Sequence, residues 1–330
     1  VGAKSDKLLG PMSYFTQLFN LMVEVMLPVT LLVATGGLWA RFFPDTPVDG
    51  ARTLLNRMAM YLFLPSILFS VASVTPVSSE LLSVPLLVGI GSLISGAMIY
   101  GVLYLTPIGR GLPDATRAIL VVGGMFGNTF NIGVPVLMFF FGRDATRYAV
   151  FNDMLMTMPL VWSIGVLICT RLGAHDKAAR PAVWRIMFSM PPIWAFILGI
   201  SSQQLGLTYA PLTAATWFIG QAVIPVTLFV LGMTIPWRNL APRPEILSAA
   251  LIKLLATPLI VWVAAQMLYA PMGEAQYAAV VEGTVPAMVT TLLLADRFRL
   301  DSAAAALLIG WTTILFWLTL PLIMALGLIR

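Results

Sequence analysis

The chain alternates between long apolar stretches and short polar ones. Ten stretches of about 20 mostly apolar residues, each long enough to cross a bilayer as a helix, cover approximately 19–40, 54–74, 81–106, 116–141, 148–170, 183–203, 211–235, 246–270, 276–295 and 303–328. Within them apolar residues run on without strict alternation, which is the pattern of helices and not of barrel strands. Residues 1–18 are too polar to hold the short apolar core of a cleavable leader. Residues 1–11 read as an added segment ahead of a start at Met12.

The loops between the spans, numbered 1 to 10, are unequally charged. Those after the odd-numbered spans carry Arg41, Arg52 and Arg57; Arg110 and Arg117; Arg171, Lys177, Arg180 and Arg185; Arg238 and Arg243; and Arg297 and Arg299. The opposite side carries only Lys4, Lys7, Arg143, Arg147 and Arg330, and Lys253 falls inside span 8. Basic loops stay cytoplasmic. The expected protein is therefore a multi-pass component of a bacterial cytoplasmic (inner) membrane, with both termini outside and a cytoplasmic link at 171–182.

Composition agrees. Of 330 residues, 59% are hydrophobic and 10% charged, where a soluble domain carries about 25% charged residues. Mean hydropathy is +0.92. One cysteine (Cys169) and one histidine (His175, in a solvated loop) exclude a disulfide framework, a Cys/His zinc site and haem held by a histidine pair. No cofactor and no metal are expected. The pI of about 9.6 reads as a topology signal, so nucleic acid is not an expected partner.

The two halves resemble each other. LFLPSILFSVA (62–72) aligns with AVIPVTLFVLG (222–232), placing Pro65 on Pro225 and Phe69 on Phe229 at a shift of 160. MPLVWSIGVLI (158–168) aligns with LPLIMALGLIR (320–330) at a shift of 162, and Pro28 falls on Pro192 at a shift of 164. Five spans per copy is an odd number, so the second copy crosses the membrane in the opposite sense, the inverted-repeat plan of secondary transporters. The expected fold is thus all-α, with ten transmembrane helices in two inverted five-helix repeats (1–170 and 183–330).

In such folds the substrate site lies at interrupted helices in matching positions of each half. Span 4 concentrates helix-breaking residues in GGMFGNTFNIGVPVL: Gly123, Gly124, Gly127, Asn128, Asn131, Gly133 and Pro135. The repeat shift carries this region onto VEGTVPAMVTT of span 9, with Glu282, Gly283, Thr284, Pro286, Thr290 and Thr291. Unwinding frees backbone N–H groups, and each following half-helix points its positive end at the gap. Asn128, Thr129, Asn131, Thr284, Thr290 and Thr291 supply side chains for a carboxylate, while Gly127, Gly133, Pro135, Gly283 and Pro286 shape the breaks.

Charges at membrane depth are costly and mark function. Four qualify. Glu282, just before Pro286, is the candidate proton carrier. Lys253 either compensates an anionic substrate, pairs with Glu282, or snorkels to the interface. Asp153 reads equally as a coupling group or an interfacial one, and Glu24 of span 1 reads as structural. The Met-rich MLMTMP (154–159) reads as packing. No close carboxylate pair falls in the spans and the one histidine lies outside them, which counts against a membrane-embedded enzyme, the remaining alternative from another class.

GNTFNIGVP (127–135), LNRMAMYLFLPSILF (55–69), VPAMVTTLLLADRFRLD (285–301) and WTTILFWLTLP (311–321) resemble segments of the auxin efflux carrier family. Asn128, Thr129, Gly133 and Pro135 match its span 4 motif, with Gly127 in place of a proline and Ala287 where the second motif often has an amide. The short central link is similar to the bacterial organic-acid permease branch. The resemblance implies crossed helices 4 and 9, a scaffold of helices 1, 2, 6 and 7, a moving domain of helices 3–5 and 8–10, and homodimers formed through the scaffold. It also implies small mono- or dicarboxylate substrates such as malonate or malate, with Asn128 as a carboxylate ligand. The expected protein is an elevator-like carrier of organic anions and not an enzyme, with H⁺ ahead of Na⁺ as coupling ion. A Na⁺-coupled carrier of bile-acid type and a channel are the alternatives.

Overall fold

The computed structural model describes residues 11–43, 45, 47–173 and 188–329. Lys4, Lys7, His175, Lys177, Arg180, Arg185, Arg330 and most of the 171–182 link lie outside the described residues. Twelve helices carry the described chain: α1 (Thr16–Trp39), α2 (Val48–Val74), α3 (Ser79–Leu105), α4 (Asp114–Met125), α5 (Thr129–Phe141), α6 (Arg143–Arg171), α7 (Pro191–Gln204), α8 (Ala210–Thr234), α9 (Pro244–Tyr269), α10 (Glu274–Thr284), α11 (Thr290–Arg297) and α12 (Ser302–Ala325). Seven of these, α1, α2, α3, α6, α8, α9 and α12, are long and apolar enough to cross a bilayer. The chain is an all-helical, polytopic membrane protein.

Prolines shape these helices. A proline lacks the N–H for the i−4 carbonyl and its ring crowds that carbonyl, and the helix accommodates it by widening the turn before it. Widened, π-type turns at Met22–Met26, Ala59–Phe63, Thr129–Gly133, Asp153–Thr157 and Ile252–Ala256 each end two residues before a proline: Pro28, Pro65, Pro135, Pro159 and Pro258. Such turns rotate the side chains that follow and free carbonyls inside an apolar helix. Four of the five contribute to the site described below.

The helices pack in two groups. In one, α8 lies along α1, and α7 and α8 lie along the second half of α2. Close backbone approach requires glycine here: a Cβ on Gly232 would strike the Val33 carbonyl and one on Gly36 the Phe229 carbonyl. In the other group, α3 is surrounded by α4, α9 and α10, and α12 packs on α4 and α9. Over its central stretch α12 is 61% buried, against 28% for α1 and for α8, which places α12 inside the molecule and α1 and α8 at its periphery. Glu24 is exposed on α1. Phe151 meets Phe196 edge-on between the groups, with centroids 5.1 Å apart.

Candidate functional site: a crossing of two broken helices

Span 4 and span 9 do not run as single helices. The first is interrupted at 126–128, between α4 and α5, and the second at 285–289, between α10 and α11. Both interruptions are short extended segments, and they meet antiparallel at Gly127 and Ala287. The Asn128 N–H donates to the Pro286 carbonyl at 2.7 Å, and the Met288 N–H donates to the Phe126 carbonyl at 3.3 Å. Each partner position is 160 residues from its counterpart, the shift read from the sequence. The Ala287 N–H is held by Thr312 Oγ1 of α12 at 3.1 Å.

The breaks are narrower than the run of helix breakers. Gly123 and Gly124 remain helical and serve close packing, against Thr291 and Leu308 in one case and Ile99 in the other. Gly127 sits at the crossing itself, where a Cβ would lie 2.6 Å from Val285 Cγ2 and 3.0 Å from Lys253 Nζ. Gly133 and Pro135 lie within α5, and Glu282, Gly283 and Thr284 form the last turn of α10.

Beside the crossing is a cavity of about 160 Å³ between the two helix groups. Asn56, Ala59, Met60 and Leu64 of α2 and Val223, Thr227 and Val230 of α8 form one wall. The other wall holds Gly127, Asn128, Thr129, Asn131, Asp153, Thr157, Met158, Met288, Thr290 and Leu293. Three widened turns thus face the cavity, and a fourth carries Lys253 behind Gly127. Asn131 Nδ2 donates to Asn128 Oδ1 at 2.8 Å, and Thr227 Oγ1 donates to Asn131 Oδ1 at 2.7 Å. The Thr129 hydroxyl donates to Asp153 Oδ1. Asn128 is 6% exposed, and its Nδ2 has no protein partner. A buried polar group without a partner costs about 1–3 kcal/mol, and an acceptor-rich guest in the cavity removes that cost. The positive ends of α5 and α11 begin at the same place.

Behind the crossing lies a charged layer. Glu282 is fully buried; its Oε2 accepts from Asn152 Nδ2 at 3.2 Å and its Oε1 has no bonded partner. Lys253 is 1% exposed, and its Nζ donates to the Gly283 carbonyl at 3.5 Å. Snorkelling is therefore not its role. Asp153, 9% exposed, is buried at the cavity and not interfacial. Asp153 follows Asn152, the residue whose amide bonds Glu282, so α6 carries one carboxylate at the cavity and a tie to the other behind the crossing.

Of the residues marked in the sequence, Asn128, Thr129, Asn131, Thr290 and Asp153 line the cavity. Thr284 and Thr291 do not: the Thr284 hydroxyl returns to the Val281 carbonyl at 2.7 Å, and Thr291 faces Gly123. Thr227, Thr157, Asn56 and Met158 line the cavity without having been marked as ligands, while Met154 and Met156 lie in the core and Met158 packs against it, as read for their stretch. A lone Thr in an apolar span carries no signal of its own. The signal available was the proline two residues after each widened turn, at 65, 135 and 159.

The cavity is lined by the middle of α2 and α6, the second half of α8 and the first turn of α11. On one side α2, α8 and α11 run on to Arg52, Arg238 and Arg297 of the basic loops. On the opposite side Arg143 lies 3.9 Å from the Trp217 ring centroid and closes α6 onto α8.

A polytopic helical protein with a small cavity at two interrupted helices, apolar over most of its lining and polar at Asn128, Thr129, Asn131 and Asp153, has the build of a membrane transport protein. A family described as "Membrane transport protein" matches residues 21–324. The chain belongs to this family, that of the auxin efflux carriers. An uncharacterized transporter of Methanothermobacter thermautotrophicus is 28% identical over 307 residues, covering 91% of this chain and 96% of its own. An uncharacterized transporter of Methanocaldococcus jannaschii is 25% identical over 310 residues, covering 88% and 94%.

Proposed function

We propose that this protein is a secondary transporter of a small organic anion, a mono- or dicarboxylate, with its site at the crossing. The observation that carries this reading is the unbonded, buried Asn128 Nδ2 on a cavity of about 160 Å³ where two helix starts converge. Asn128, Thr129, Asn131 and Thr290 serve as donors to the carboxylate. Lys253 and Glu282 act as a charge layer within the moving part.

The reciprocal hydrogen bonds about the Gly127–Ala287 bridge, whose residues are 160 apart, support two inverted five-helix repeats, 1–170 and 183–330, joined by the 171–182 link. The two packing groups support a scaffold of spans 1, 2, 6 and 7 and a transport domain of spans 3–5 and 8–10, moving in an elevator-like step with the scaffold as the homodimer contact. With the basic loops in the cytoplasm, the protein sits in the cytoplasmic membrane with both termini outside. Proton coupling is favoured over Na⁺ by one feature: the Lys253 ammonium already occupies the carbonyl end of α10, where a bound cation would otherwise neutralise it.

Titration calorimetry of purified protein with acetate, lactate, malonate and malate tests the reading. Wild type binds at least one of them, and Asn128→Ala loses that binding while unfolding at a similar temperature. Undiminished affinity in Asn128→Ala removes the site from the crossing.

A further inference from the structure

The charge inventory around the cavity is lopsided for an anion carrier. Among its lining residues there is one carboxylate, Asp153, and no lysine, arginine or histidine. The groups packed nearest from other elements are Glu282 of α10 and Lys253 of α9; α2, α5, α8 and α11 face the cavity with Asn56, Thr129, Asn131, Thr227 and Thr290, none of them titratable. The half-helix ends cancel: two starts (α5, α11) each contribute about +0.5 and two ends (α4, α10) each about −0.5. With Lys253, Glu282 and Asp153 all ionised, the site carries one net negative charge. A carboxylate entering it makes two, in a setting where unbalanced buried charge is strongly disfavoured.

The three groups differ in access. Glu282 is fully buried behind the crossing, with Asn152 on one oxygen and Gly133 packed within 2.7 Å of the other, measured from the Cβ position of Gly133. Lys253 is bonded to the Gly283 carbonyl. Asp153 faces the cavity and already receives the Thr129 hydroxyl, which faces it too.

We propose that Asp153 takes up one proton with each carboxylate bound, and that Thr129 relays the change to the substrate. This rests on the organic-anion reading above and moves coupling from Glu282 to Asp153. In the ionised state the Thr129 hydroxyl hydrogen is committed to Asp153. A proton arriving on Oδ1 makes Asp153 a donor, and its O–H then donates to Thr129 Oγ1. The Thr129 hydrogen is released and rotates to the incoming carboxylate oxygen. One proton and one anion enter, no bond other than O–H is made or broken, and the added charge is zero. The same balance selects monocarboxylates: a dianion brings a second negative charge for which the cavity holds no counter-charge.

Calorimetry of acetate, lactate and malonate binding in two buffers of different ionisation enthalpy counts the protons taken up. Wild type should take up one proton per carboxylate, with affinity falling about tenfold per pH unit above the Asp153 titration, and should favour acetate or lactate over malonate. Asp153→Asn should bind without proton uptake, and its affinity at pH 8 should rise to the wild-type value at pH 5.5. Thr129→Val should keep the proton count and lose about tenfold in affinity, the worth of one hydrogen bond to a charged group. Carboxylate binding with no proton uptake in wild type, or unchanged pH dependence in Asp153→Asn, overturns the relay and leaves the anion reading standing. No carboxylate binding to wild type at either pH overturns both.

Discussion

The two broken segments share a backbone and differ in side chains. Each is a short extended stretch between half-helices, and each donates one N–H to the other's carbonyl, from Asn128 to Pro286 and from Met288 to Phe126. Yet the first presents Asn128, Thr129 and Asn131 to the cavity, and the second presents Met288, Val289 and Thr290. Backbone geometry at the crossing follows from local breakers that both copies hold. Recognition chemistry requires particular polar atoms, and those are concentrated in the first copy. The second acts as a backbone partner: it supplies a helix start and closes the cavity with apolar surface.

The largest effect on this contrast should come from the charged layer behind it. Lys253→Met removes the buried cation behind the crossing and leaves the Gly283 carbonyl at the end of α10 without its donor; uncompensated buried charge costs several kcal/mol, and thermal unfolding in detergent should show a large fall in Tm. The double variant Lys253→Met/Glu282→Gln should recover part of that loss. If the single variant unfolds at the wild-type temperature, the pair contributes nothing to the crossing.

Next is the recognition side. Asn128→Ala removes the unbonded amide and the acceptor for Asn131, and should cost about 1.5–3 kcal/mol of anion affinity, a 10- to 100-fold rise in Kd by calorimetry. Met288→Ala, at the matching position across the crossing, should move Kd far less. Equal losses at both positions would show that the two breaks recognise the ligand alike.

A smaller effect is expected from Gly133→Ala, which places a methyl 2.7 Å from Glu282 Oε1 and should destabilise by about 1–3 kcal/mol through overpacking. Thr312→Val strips the buried Ala287 N–H of its partner and should cost about 1 kcal/mol or more, read as faster amide exchange at 285–289. Smallest is Thr227→Val, which cuts the bond from α8 to Asn131 and should cost about 1 kcal/mol. Because that bond joins the two helix groups, its loss should show in transport rate in proteoliposomes more than in Tm.

Much of this was legible along the chain. Continuous apolar runs marked the membrane helices, and seven stand as long helices. Clustered Gly, Asn and Pro marked a break in span 4, and the 160-residue shift pointed to VEGTVPAMVTT, where the second break lies. The exact length of each break was not legible, because Gly123, Gly124 and Gly283 are there for close packing and not for unwinding. Nor was the split among threonines: Thr290 faces the cavity and its neighbour Thr291 faces Gly123, a difference of one residue's rotation about a half-helix.

Hydropathy, charge placement and helix breaking are properties of consecutive residues. The sequence by itself therefore determined a polytopic helical membrane protein, its basic face and the neighbourhood of its two breaks. Which polar atoms converge depends on the register between helices far apart in the chain, set by glycine contacts such as Gly36 and Gly232 and by the turns widened ahead of each proline. Only the tertiary structure brought Asp153 to Thr129, Thr227 to Asn131, and Lys253 and Glu282 together behind the crossing. It thereby turned a list of four scattered intramembrane charges into one carboxylate at the cavity, two groups behind it, and Glu24 outside on α1.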